Sequence, residues 1–122
     1  MLIRSNVIIA LLWVVSAGLA WGQTGATLAE EYYKAGEFEK AANEYAKLLK
    51  TEVTWPRLSR YVYSLQKSNK TEDAVKYLRK QQRSDEPNRA YYDLLSGQIA
   101  TQQGDTVQAK NQYTAAIQSS KS

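Results

Sequence analysis

The chain has no cysteine and no histidine in its 122 residues. Without cysteine there is no disulfide, so stability has to come from packing alone, and no lipid can be attached to a cysteine behind the leader. Without cysteine and histidine the common metal ligands are missing, and so is the usual neutral-pH base. No Gly-rich phosphate loop occurs among the six glycines. Proline is confined to Pro56 and Pro87. Charge of neither sign dominates: Lys plus Arg number 16 against 12 acids, a formal net of +4. The basic residues are interleaved with acids, the pattern of a solvated surface and not a nucleic-acid footprint. A weak attraction to anionic envelope components is compatible with this balance.

What is present begins with a greasy start. Residues 1–22, MLIRSNVIIALLWVVSAGLAWG, carry Arg4, then an apolar run of 14 residues from Val7 to Ala20, then small residues. This is the layout of a secretory signal peptide, with cleavage after Ala20 or after Gly22. The competing reading is a retained membrane anchor. The run is short of the roughly 20 residues that span a bilayer, and no Lys/Arg cluster follows it. The expected location is therefore exported, periplasmic or secreted, with no stable membrane span after cleavage. Removing the leader takes away Arg4 and no acid, which leaves 15 basic residues against 12 acidic ones in the last 100 residues. About 100 residues make one small domain with a modest core.

Within that domain one plan recurs. GEFEKAANEYAKLL, residues 36–49, opens on a glycine turn, continues with Phe38 and the small pair Ala41 and Ala42, and carries Tyr45 and Leu48 on one stripe. NKTEDAVKYLRKQ, residues 69–81, has Asn69, Ala74 and Leu78 at the same offsets. GDTVQAKNQYTAAI, residues 104–117, has Gly104, Ala109 and Tyr113, then Ala116. Each turn residue stands five positions before its alanine, and the alanines are 33 and 35 apart. Gly and Asn tolerate the left-handed backbone that closes a helix, and a period near 34 marks a helical-hairpin repeat.

Upstream of each turn lies another amphipathic helix. Leu58, Tyr61, Val62 and Leu65 form an i, i+3, i+4, i+7 stripe. Leu28, Ala29 and Tyr32 take the matching places in the first unit, and Tyr92, Gly97, Ile99 and Ala100 in the third, where Gly97 permits the tightest approach. Small residues at Ala41, Ala74 and Ala109 mark where the two helices of a hairpin touch. Pro56 and Pro87 fall between units, where one helix stops and the next begins.

This pattern resembles the tetratricopeptide repeat (TPR). The first repeat shows Ala29, Tyr32, Gly36, Phe38, Ala41, Tyr45 and Leu48. The third shows Gly97, Gly104-Asp105, Ala109, Tyr113, Ala116 and Ile117. The second fits at Val62, Leu65, Asn69, Ala74 and Leu78, but Gln81 and Gln82 stand where small or apolar residues are usual. The resemblance implies an all-α, right-handed helical-hairpin solenoid, with residues 1–22 as leader and 23–122 as the domain. Its three repeats span about 23–54, 55–89 and 90–122.

The fold is a scaffold and does not itself name a function. Catalytic candidates are few. The carboxylate pairs Glu30-Glu31, Glu72-Asp73 and Asp85-Glu86 are sequence neighbours, so on a helix they diverge by about 100 degrees and do not share a site. The remaining carboxylates are expected on exposed faces. SLQK (Ser64 to Lys67) matches a Ser-x-x-Lys pattern without its partner motifs. NKT at Asn69 is a glycosylation sequon only in a eukaryotic secretory pathway, and Asn69 is expected to serve as the hairpin turn. No enzyme, no cofactor and no metal site is expected.

The surface is what remains. In stacked hairpins the first helices line the concave face. The positions between their core residues are Ala26, Glu30, Tyr33 and Lys34, then Ser59, Arg60, Tyr63, Gln66 and Lys67, then Tyr91, Leu94, Gln98 and Gln102. Tyr33 and Tyr63 are aromatics that the core stripe does not need, and Leu94 is apolar at an outward phase. With Lys34, Arg60, Lys67 and Gln98 they make the candidate binding face, of the residue types that carry interface energy. Some TPR proteins clamp a carboxylate tail with Lys and Asn here. This chain has Ala26, Glu30, Ser59, Tyr63, Leu94 and Gln98 at those places, which argues against a chaperone-tail clamp.

The expected function is thus a non-catalytic exported adaptor that holds an extended peptide or helix of another protein. The alternative is a module for an envelope polymer such as glycan, with the same tyrosines as stacking platforms. The end AAIQSSKS has no polar capping helix after it, leaving Tyr113, Ala116 and Ile117 as a candidate open edge. Either a longer repeat protein continues from it, or another copy or a partner covers it.

Overall fold

A computed structural model describes residues 24–121. The expected signal peptide lies outside the described residues. Among the described residues six α-helices follow one another: α1 (Thr24–Lys34), α2 (Phe38–Thr51), α3 (Trp55–Lys67), α4 (Thr71–Ser84), α5 (Arg89–Gln102) and α6 (Thr106–Lys121). A 3-10 turn at Glu86–Asn88 precedes α5, and no strand occurs among the described residues.

The connections are of two kinds, and local chemistry explains both. Those after α1, α3 and α5 turn through a left-handed residue: Gly36 at φ 76°, Asn69 at 59° and Gly104 at 79°. In each, the amide of the following residue bonds back five positions, Glu37 N to Tyr32 O at 2.9 Å, Lys70 N to Leu65 O at 2.8 Å and Asp105 N to Ala100 O at 2.9 Å. That bond satisfies one of the carbonyls a helix leaves orphaned at its end. The next helix then starts alike in all three, with Ala41, Ala74 and Ala109 donating to the residue four before.

The other connections contain the prolines. Thr54 is extended and its Oγ1 accepts from Arg57 N at 3.4 Å, with Pro56 in the first turn of α3, where a missing N–H costs nothing. Pro87 lies in the 3-10 turn. There the buried Tyr92 hydroxyl donates to Asp85 Oδ2, and Asn88 Nδ2 donates to the same oxygen at 3.0 Å, which pins the α4–α5 junction.

Each helix packs on its neighbours in sequence, most extensively α5 on α6, α2 on α3 and α1 on α2. The main core gathers Leu58, Val62, Leu65, Ala74, Leu78 and Tyr92 with Ala42, Leu49, Leu95 and Ile99. Burying a leucine such as Leu58 fully contributes roughly 1.5–3 kcal/mol. A smaller cluster of Ala29, Ala41 and Tyr45 sits under α1. The alanines there have no accessible surface, so a second helix approaches them at backbone distance.

Two expectations are corrected by this packing. Tyr33 was expected to stand outside the core, but it is half-buried against the Ala29–Ala41–Tyr45 cluster, its ring edge-on to Tyr45 at 6.3 Å. The only other large apolar residues of α1 are Leu28 and Tyr32, so Tyr33 supplies the rest of the area that covers α2. The second correction concerns the carboxylates. Asp93, expected on an exposed face with the rest, is 2% exposed.

Candidate functional site

The first helices of the three pairs lie side by side, and aromatic contacts join them. Tyr33 of α1 meets Tyr63 of α3 with ring centroids 5.8 Å apart, and Phe38 closes the group at 5.5 Å from Tyr63 and 5.9 Å from Tyr33. Trp55 at the start of α3 meets Tyr91 near the start of α5 at 5.5 Å. Farther along the same two helices, Gln66 Nε2 donates to Gln102 Oε1 at 2.6 Å.

Cations lie over this aromatic patch. The Arg60 guanidinium is 5.3 Å from the centre of the Tyr33 ring, and Lys67 Nζ is 5.6 Å from that of Tyr63. Both fall within the range in which a ring quadrupole attracts a cation. Arg60 also reaches the Tyr45 hydroxyl at 3.5 Å. Arg60 has no carboxylate within ion-pair distance among the described residues.

The rim is more conventional. Lys34 pairs with Glu30 at 3.0 Å across one helical turn. The bond and charge of Lys34, helped by the charge of Arg60, hold the Glu30 carboxyl below the usual glutamate range. Both side chains are exposed, so the pair contributes little to stability.

Of the seven residues expected to form one face, Tyr33, Arg60, Tyr63 and Lys67 converge, and Lys34 stands at their edge beside Glu30. Leu94 belongs to a different place. It lines an apolar groove of about 470 Å³ between α5 and α6 with Ala90, Tyr91, Tyr113, Ala116 and Ile117. Gln98 is exposed and makes no hydrogen bond among the described residues. Tyr91 connects the two areas, since it contacts Trp55 on one side and lines the groove on the other.

Sequence reasoning missed two contributors. Phe38 and Tyr45 are repeat positions by pattern, yet one completes the aromatic patch and the other holds Arg60. Nothing in linear spacing signals this, because the residues they meet are on other helices. The second omission is a buried polar network. Gln82 Nε2 donates to Asp93 Oδ1 at 2.7 Å and to Gln112 Oε1 at 3.2 Å, and Ser96 Oγ lies 3.4 Å away. A signal for it existed, since Gln82 breaks the apolar pattern of the second unit.

Ser64 of the Ser-x-x-Lys match is buried, and its hydroxyl has no hydrogen-bond partner. The Lys67 ammonium is turned to the Tyr63 ring. No group of three or more carboxylates that could hold a metal occurs among the described residues, and none of their helices is long and apolar enough to cross a membrane.

Comparison with protein-family models, with curated proteins and with solved structures finds no match to this chain.

Proposed function

We propose that the chain is an exported, non-catalytic adaptor built as a TPR-like, right-handed stack of three helical hairpins. Its concave face, formed by α1, α3 and α5, holds an extended segment or a helix of another protein. The observation that carries this reading is the convergence of Tyr33, Arg60, Tyr63 and Lys67, with two cations over two tyrosine rings. Tyrosine and arginine are among the residue types enriched where protein interfaces carry most of their binding energy.

The partner segment is expected to be acidic at one end and apolar at the other. An acidic side chain would meet Arg60 and Lys67, while an apolar side chain elsewhere in the segment would enter the groove beside Leu94. Affinity of order micromolar suits such a transient contact. The thrice-repeated turn, with its alanine five residues on, supports the repeat architecture.

A glycan-binding module is the competing reading. It needs open ring faces, and those of Tyr33 and Tyr63 are already occupied by Arg60 and Lys67. Capture from envelope extract, comparing the parent chain with Tyr63→Ala/Leu94→Ala, separates the two. Protein bands lost in the variant support the adaptor. Retention of the parent chain on insoluble polysaccharide overturns it.

A further inference from the structure

We propose that the cleft between α4 and α6 binds a tetrahedral oxyanion, a phosphate or sulfate group, through Arg79 and Arg83. This cleft lies away from the α1–α3–α5 face, and the inference does not rest on the adaptor reading. The cavity measures about 620 Å³, inside the roughly 300–1,000 Å³ usual for ligand sites. Its lining is three arginines, Gln82, Gln108, Gln112 and one acid, Glu86.

The charges do not cancel within it. Arg89 takes both nearby acids, with its Nη1 3.9 Å from Glu86 and its Nε 3.7 Å from Asp93. Arg79 and Arg83 have no hydrogen-bond or ion-pair partner among the described residues. They stand four apart on α4, a like-charge arrangement that disfavours a helix. Both are exposed, and their unpaired guanidinium groups line one cavity. The planar guanidinium fork matches the paired oxygens of phosphate and sulfate, which a lysine ammonium does not.

The cleft is also held in shape. Gln82 is fixed by the buried Asp93, and it fixes Gln112 in turn by donating to its Oε1 at 3.2 Å. That leaves the Gln112 amide nitrogen, which makes no hydrogen bond among the described residues, as a neutral donor beside the arginines. Buried Asp93 thereby acts, through Gln82, as a positioning residue for the Gln112 donor. Arg79 continues into a smaller adjoining cavity of about 80 Å³ with Gln103 and Gln108, which gives room for the rest of an esterified ligand.

The test uses the full chain in nuclear magnetic resonance titrations with sodium phosphate and, in parallel, glycerol 3-phosphate, each at ionic strength matched with sodium chloride. The expected result is a saturable shift of the arginine Nε–H and glutamine amide signals of the cleft, absent with chloride. Tighter binding of the ester identifies an esterified source, and tighter binding of phosphate a free ion; either supports the site. Arg79→Gln/Arg83→Gln should weaken binding about tenfold or more, the loss of two charge-assisted contacts. Lys47→Gln/Lys76→Gln, which removes the same charge elsewhere, should bind as the parent does. Circular dichroism spectra of all three chains should show the same helical fold, because the changed side chains are exposed. Unsaturable shifts, equal response to chloride, or equal weakening in both double variants would overturn the proposal.

Discussion

The Tyr113 ring lies against the backbone of Gly97 so closely that a Cβ built there would stand 2.7 Å from Cε1 and 2.8 Å from Cδ1. Glycine costs a helix interior about 1 kcal/mol relative to alanine, so Gly97→Ala would normally stabilise α5. Here the ring must move instead, and it also lines the apolar groove, with its hydroxyl 3.3 Å from Thr101 Oγ1. Overpacking of this kind costs typically about 1–3 kcal/mol, so the clash wins. Gly97→Ala is expected to destabilise by about 1–2 kcal/mol, yet to stabilise in a Tyr113→Ala background. Denaturant unfolding of the four forms completes the cycle, and additive changes would contradict the contact.

Ala41 has no accessible surface and sits between Ala29 and Tyr45. Ala41→Leu should therefore cost about 1–3 kcal/mol by forcing α1 away from α2. Asn43→Leu, on the exposed side of the same helix, should stay within about 0.5 kcal/mol of the parent. Thermal melts showing the two variants alike would mean that the helix faces are assigned wrongly.

Gln82 gives the buried Asp93 its shortest hydrogen bond, at 2.7 Å. Gln82→Leu leaves that carboxylate short of a donor in a place water does not reach, at a cost of about 2–3 kcal/mol. Replacing both partners by apolar groups removes the unmet demand, so Gln82→Leu/Asp93→Leu should be more stable than Gln82→Leu by about 1 kcal/mol or more. Urea titration of the two variants decides this; a double variant weaker than the single one would show that the network is not held by this pair.

Burial pushes the phenols of Tyr61, Tyr77 and Tyr92 upward, Tyr77 to about 12, and the bond to Asp85 pushes Tyr92 further. In the unfolded chain these groups lose their protons near pH 10. Above that pH the native state holds more protons than the unfolded one, so stability falls as pH rises, by about 1.4 kcal/mol per pH unit for each fully protonated phenol. Below about pH 10 both states are protonated and this contribution is fully present. Urea midpoints should thus decline between about pH 10 and 12, and the decline should be shallower in Tyr92→Phe. An unchanged slope in that variant would remove Tyr92 from the account.

The helices and their ends were legible in the sequence because both are local. A left-handed turn needs Gly or Asn at one position, and Gly36, Asn69 and Gly104 stand where the chain turns with φ between 59° and 79°. A buried alanine follows five residues later in each unit, at Ala41, Ala74 and Ala109. Pro56 and Pro87 mark the remaining boundaries for equally local reasons. What a side chain does after the helix has formed depends on which helix crosses it. Tyr33 is a surface residue by phase, and only the position of Tyr45 and Tyr63 makes it part of the packing. Asp93 and Gln82 are eleven residues apart on different helices, and their bond exists because α4 and α5 bring them together. Leu94 and Ile117 become one groove in the same way. Composition and spacing determine secondary structure through backbone preferences; tertiary contact decides burial, and burial decides which polar and aromatic groups stay at the surface.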